Sequence, residues 1–254
     1  MHYLDQKTKG RDNNLDILRF FLASWVLFVH SYPLSGSSFS SDKLRVMTFF
    51  IISGFFITVS LVKRNDLWLF SKARILRIFP GLFFVVLVTV LLIGPLTTNL
   101  DIKQYFTTGE TYNYMKVLLI KGLDLYTLPG VFDSNPYGNQ VNGSIWTIYF
   151  EVIFYIGIGV LAYFKMMNKT VMLGLFVFAY AVFLSPITFM SRYFEMFIFF
   201  SVGSLCYLYR ERIPLKVSYA VISLVLLIAL SILGYFQHAF AFLGTYLVMF
   251  IVFL

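Results

Sequence analysis

The stretch Leu15-Asp16-Ile17-Leu18-Arg19-Phe20-Phe21-Leu22-Ala23-Ser24-Trp25-Val26-Leu27-Phe28-Val29-His30-Ser31-Tyr32 decides how this chain is read. It is apolar over nearly the length a membrane-spanning helix requires, about 20 residues, yet it holds an arginine and a histidine. Eleven positions separate Arg19 from His30. At about 100° per residue that is close to three turns, so both side chains fall on one face, about 16 Å apart along the axis. An arginine at the centre of a spanning helix costs about 3 kcal/mol on insertion scales, and ionisable groups there face a protein interior or a wet cavity. Two of them on one stripe predict a polar path along this helix.

The composition around that stretch places the whole chain in a bilayer. Hydrophobic residues make up 59% of the 254 and charged residues 13%, against about 25% charged in soluble domains. The mean hydropathy is +0.80. The 30 Phe and 17 Tyr suit lipid-facing and interfacial positions. A net charge of +8 does not point to nucleic acid, because the basic residues flank apolar runs as cytoplasmic membrane flanks do. The single cysteine, Cys206, has no intrachain disulfide partner. An all-α, polytopic helix bundle is the expected fold.

About eight runs are apolar enough to be read as spans: Leu15–Tyr32, Met47–Val62, Ile78–Leu96, Ile145–Phe164, Val171–Ile187, Tyr193–Tyr209, Val217–Phe236 and Phe240–Leu254. Met115–Ile120 is too brief to cross and is expected at the surface. The first run follows Lys7, Lys9 and Arg11, but no small-x-small cleavage site succeeds it, so it reads as a retained signal anchor. Alternate connections carry about thirteen Lys and Arg, at positions 7 to 11, 63 to 77, 165 to 169 and 210 to 216, against about six elsewhere. That asymmetry predicts a cytoplasmic N-terminus, with Arg19 near the cytoplasmic end of the first helix and His30 near the external end.

Three further features carry chemistry. The connection over residues 97–144 is long, external, and rich in Thr, Tyr, Asn and Gly. Its end, Asn135-Pro136-Tyr137-Gly138-Asn139-Gln140-Val141-Asn142-Gly143-Ser144, reads either as amides for sugar hydroxyls or as a solvated linker. Glu151 lies inside the fourth run, about 9 Å from its external start, at a depth similar to His30. A carboxylate near an imidazole orients it as a general base; the plainer reading is a polar contact between helices. Arg74 and Arg77, expected in the second cytoplasmic connection, share a face if that segment is helical. Their forked guanidiniums suit phosphate, but from composition alone positive-inside anchoring is the favoured reading.

Arg19 and His30 in the first helix, Phe49-Phe50-Ile51-Ile52-Ser53-Gly54-Phe55-Phe56 in the second, Arg74-x-x-Arg77, and Ser144-Ile145-Trp146-Thr147-Ile148-Tyr149-Phe150-Glu151 occur in one order. Together they resemble the acyltransferase-3 family of integral membrane acyltransferases, most strongly over about residues 12–155. The resemblance implies O-acylation of surface or exported carbohydrate, or of a lipid-linked glycan, at the bacterial cytoplasmic (inner) membrane. The donor it implies is cytoplasmic acyl-CoA, typically acetyl-CoA, with no bound cofactor and no metal. It makes His30 the catalytic base, Arg19 its partner, Glu151 the matching acidic residue, and Arg74 and Arg77 elements of donor binding or structure. Ser53 and Gly54 match the family's small pair, for which close helix packing is the better reading. Two departures stand out. Members often carry a second acidic residue beside Glu151, where this chain has Phe150 and Val152. Members also commonly have about ten spans, so residues 1–254 read as one membrane domain, C-terminally short or incomplete. The rival class is a multi-pass transporter that uses His and Glu within membrane helices as a proton relay, although no two-half symmetry is visible.

Overall fold

Each of the expected apolar runs falls largely on helix in the computed structural model, which describes residues 2–8, 13–34, 42–64, 66–119, 127–135, 140–186 and 191–254. Chain order gives α1 (Leu4–Thr8), α2 (Leu15–Leu34), α3 (Asp42–Arg64), α4 (Leu67–Val88) and α5 (Gly94–Thr97). The short α6 (Ile102–Thr107) and α7 (Gly109–Asn113) precede α8 (Trp146–Tyr163), α9 (Lys169–Leu184) and α10 (Ser191–Leu208). Then come α11 (Val217–Ile232), α12 (Phe236–Ala239) and α13 (Thr245–Phe253). Among the described residues, sheet is confined to a two-residue antiparallel pair, β1 (His2–Tyr3) with β2 (Pro214–Leu215). The fold is all-α. Among the described residues, Lys43–Arg64, Leu67–Thr97, Gly143–Tyr163 and Phe236–Phe253 are long and apolar enough to cross a membrane, while Lys169–Leu184 and Val217–Ile232 are shorter apolar helices.

Boundaries differ from the expected ones for identifiable reasons. The third run begins at Leu67, eleven residues before Ile78. Lys72, Arg74 and Arg77 lowered its apparent hydropathy, yet Lys and Arg are good helix formers and no breaker stands between Leu67 and Pro80. The arginine pair is therefore inside a helix and not in a connection. The seventh run closes at Ile232 and not at Phe236. There Gly234 adopts a left-handed φ of 83°, Tyr235 N–H donates to Leu230 O (2.8 Å) and Gly234 N–H to Ser231 O (3.0 Å). This is a Schellman closure. The end of α8 closes in the same way around Lys165 at φ 55°, and the Asn168 side chain then caps α9 by accepting from Val171 N–H at 3.0 Å.

The chain divides into two compact units, one of residues 1–27, 41–67 and 156–254, the other of residues 28–40 and 68–155. In the first unit α3 packs along α10 at backbone contact. A Cβ on Gly54 would run into the Phe200 backbone, and one on Gly203 into that of Ile51. Ser204 Oγ–H, at 3.2 Å from Gly54 O and 3.1 Å from Phe200 O, joins the seam with a hydroxyl. This is the small-residue packing that lets membrane helices approach closely, and it settles the reading of Gly54. Phe50, Ile51, Phe55 and Phe200 are fully buried around it.

One end of this unit gathers its basic connections. Lys63 Nζ donates to Thr8 O at 3.1 Å, Arg210 Nε pairs with Asp5 Oδ1 at 2.8 Å, and Lys169 Nζ lies 5.2 Å from the Tyr209 ring centre. The β1–β2 pair ties the N-terminus to the start of α11. Asn14 N–H donates to Val252 O at 2.8 Å, bringing the start of α2 beside the end of α13.

Candidate functional site

The second unit holds Arg74, Arg77 and Glu151. Its frame is α4 extended by a five-residue π turn, Thr89–Ile93, and α5. A π turn shifts carbonyls out of the regular ladder, and here Val90 O accepts from Tyr105 Oη at 3.0 Å. A Cβ at Gly94 would strike that hydroxyl. The Asn142 side chain donates from Nδ2 to Thr89 Oγ1 (2.7 Å) and to Tyr114 Oη (3.0 Å). Tyr105, Tyr114, Leu128 and Val131 join Val86 and Val90 in a buried core.

The long connection is thus a folded cap over the end of α4 wherever it is described. The brief run Met115–Ile120 is not a surface segment: its described residues, 115–119, belong to a 3-10 helix of residues 114–119 in which Tyr114 and Val117 are buried. Asn142, one of the candidate sugar-binding amides, is committed to the protein itself. Residues 136–139 of that run lie outside the described residues. Burial pushes the Tyr105 phenol up to about 12, with neighbouring Tyr114 adding to the shift. Burial also raises Tyr114, opposed by its hydrogen bonds to Asn142 and Thr89.

Between α4 and α8 lies a network of charges and an aromatic ring. Arg77 Nη2 is 4.0 Å from Glu151 Oε1. Tyr155 Oη–H, one turn along α8, donates to the same carboxylate oxygen. Arg74, one turn back along α4, places its guanidinium carbon 5.8 Å from the Tyr155 ring centre and 5.7 Å from that of Phe70. Advancing from Arg74 to Arg77 corresponds to moving back from Tyr155 to Glu151, so the two helices run antiparallel here. The Glu151 side chain is 8% exposed and that of Arg77 38%. A carboxylate so buried requires compensation, and Arg77 with Tyr155 supplies it.

The structure therefore brings Arg74, Arg77 and Glu151 together and adds Tyr155, a residue the sequence reading passed over. Its signal was the i, i+4 spacing from Glu151, which places both on one face of α8. Arg19 lies on α2 and is within 3.4 Å of Asp16 Oδ1, with its side chain 42% exposed. Position 30 falls on the same helix, but the His30 side chain lies outside the described residues. Chemically, the network offers two forked cations one turn apart, beside a buried carboxylate and a phenol.

An all-α architecture of long apolar helices, two of them joined by an arginine–carboxylate network, is that of an integral membrane protein. A family model described as an acyltransferase domain, acyltransferase-3, matches residues 12–254. The chain belongs to that family. It is 30% identical over 169 residues to nodulation protein 10 of Rhizobium leguminosarum bv. viciae, covering 60% of this chain and 44% of that protein. To the O-acetyl transferase of Shigella phage Sf6 it is 26% identical over 157 residues, covering 59% of this chain and 46% of that one. The chain spans about half the length of these relatives. No solved structure matches it.

Proposed function

We propose that this chain is the membrane-embedded part of an O-acyltransferase that moves an acyl group, typically acetyl, from cytoplasmic acyl-CoA to a hydroxyl of a surface or exported carbohydrate. The observation that carries the reading is the Arg74–Arg77–Glu151–Tyr155 network in a chain of the acyltransferase-3 family. Arg74 and Arg77 are suited to the donor's phosphates, because two guanidiniums one turn apart present several N–H groups to one anion. Glu151 and Tyr155 hold that pair in place. His30 is the base: its imidazole takes the acceptor hydroxyl proton as the oxygen attacks the thioester carbonyl, and the thiolate of coenzyme A leaves. Glu151 orients and electrostatically supports the imidazolium. Arg19, three turns along the same helix, lies on the donor's side of it.

The host is a bacterial cytoplasmic membrane, crossed about eight times by this chain with the N-terminus inside. What supports that orientation is the convergence of Lys63, Lys169 and Arg210 at one end of the first unit, beside the N-terminal segment. The deciding experiment incubates membranes carrying the protein with acetyl-labelled acetyl-CoA. Alkali-labile label on carbohydrate is expected, and it should vanish in His30→Ala. Export of glycan without incorporated label would overturn the enzyme in favour of a transporter.

A further inference from the structure

We infer that the end of the first unit opposite its basic connections carries a carbohydrate-binding subsite formed by Tyr180, Glu195, Gln237 and His238. The inference rests on the acyl-transfer reading for the role of the sugar, which is the acceptor, but not for its binding. Lys169, at the start of α9, lies over Tyr209, just past the end of α10. Tyr180, four residues before the end of α9, and Glu195, four residues into α10, therefore lie toward the other end. Gln237 and His238 reach that end on α12, after α11 has run away from the basic side.

Two hydrogen-bonded pairs form the polar part. Gln237 Nε2–H donates to Glu195 Oε1 at 2.7 Å, and Tyr180 Oη is bonded to His238 Nδ1 at 2.8 Å. Aromatic rings complete it. Phe183 lies 5.8 Å and Tyr235 6.5 Å from the imidazole, centre to centre, and Tyr235 is 58% exposed. Phe176 and Phe242, at 5.8 and 6.4 Å, back the Tyr180 ring. Glu195 Oε2, the Gln237 carbonyl and His238 Nε2 have no hydrogen-bond partner among the described residues. Each belongs to a half-buried side chain.

This arrangement selects a ligand class. A phosphate or carboxylate would meet the Glu195 carboxylate. A metal would need more ligands, and among the described residues no three His, Cys, Asp or Glu come together. A neutral, hydroxyl-rich ring fits: its C–H face stacks on Tyr235 or Phe183, and its hydroxyls donate to the carboxylate and amide oxygens and exchange hydrogen bonds with the imidazole.

The test uses the purified full chain in detergent and fluorescently tagged oligosaccharides, cut from the host's surface polysaccharide after mild alkaline removal of O-acyl groups. Binding is read by anisotropy without acyl donor; acceptor and donor KM are read separately with acetyl-CoA. Glu195→Gln should weaken binding and raise the acceptor KM about tenfold, through loss of a charged acceptor. Tyr180→Phe should act a few-fold in the same direction, while the donor KM and melting temperature hold. Unchanged binding in both variants, or none in the parent, overturns the subsite. Parental binding that Glu195→Gln weakens, without any acyl transfer, keeps the subsite and overturns the acyltransferase reading instead. Transfer with an unaltered acceptor KM in Glu195→Gln does the reverse.

Discussion

At the scale of single residues, the contact between α4 and α8 turns on keeping one buried carboxylate compensated. Glu151 receives Arg77 and the Tyr155 hydroxyl at the same oxygen. Arg77→Ala removes the cation while the carboxylate stays buried, which should cost about 1–3 kcal/mol. Glu151→Gln, which removes the charge itself, should cost less. Thermal unfolding in detergent compares the two; equal losses would mean the pair contributes packing and no charge compensation. Arg74→Lys keeps the charge and loses the fork. The apparent affinity for acyl-CoA should fall about tenfold with acceptor dependence unchanged, a shift of about 1.4 kcal/mol, and initial rates against donor concentration read it. His30→Ala should lower single-turnover transfer by about 10²–10⁴ in a protein that still melts as the parent does.

At the scale of elements, identical residue types carry different loads. Gly54 and Gly203 each face a partner backbone, whereas Gly157 on α8 has open space where a Cβ would stand. Gly203→Ala should destabilise by about 1–3 kcal/mol through overpacking, and Gly157→Ala should be neutral or stabilising by about 0.5–1 kcal/mol. Melting both variants in one detergent checks this contrast. The cap on α4 offers a second test, through Tyr105. Its phenol is raised from an ordinary 10.0 to about 12, so the folded state holds the proton more tightly than the unfolded chain. Its contribution is complete below pH 10 and is lost as pH rises toward 12. Phenolate absorbance together with unfolding between those values should show the cap loosening in the parent. Tyr105→Phe should remove that alkaline step at a cost of about 1 kcal/mol for the lost hydrogen bond.

At the scale of the whole molecule, the proposed orientation puts the N-terminus in the cytoplasm. Lys63, Lys169 and Arg210 come from three separate connections yet meet at one end of the first unit, as the positive-inside bias requires of a cytoplasmic face. With Cys206 replaced by serine, single cysteines at Lys7 and at Glu110 should differ in whole cells. An impermeant maleimide should label position 110 and leave position 7 untouched until the cells are opened. Labelling at position 7 would reverse the sides assigned to donor and acceptor.

Read alone, the sequence determined the class and the long apolar helices, because in a bilayer the hydrocarbon thickness acts locally along the chain. Arg19, His30, Arg74, Arg77 and Glu151 were legible as misplaced or paired charges, each against a short-range expectation. Tertiary structure decided what Arg74, Arg77 and Glu151 meet. That Glu151 pairs with Arg77, that Tyr155 serves the same carboxylate, and that Asn142 is bound to Thr89 and Tyr114 all depend on helices far apart in sequence. Hydrophobic periodicity says nothing of which faces will meet. The cap over residues 102–119 was hidden for a related reason: its short helices bury Tyr105 and Tyr114 only against α4. Short helices draw their stability from packing and not from their own propensity, so no local pattern announces them.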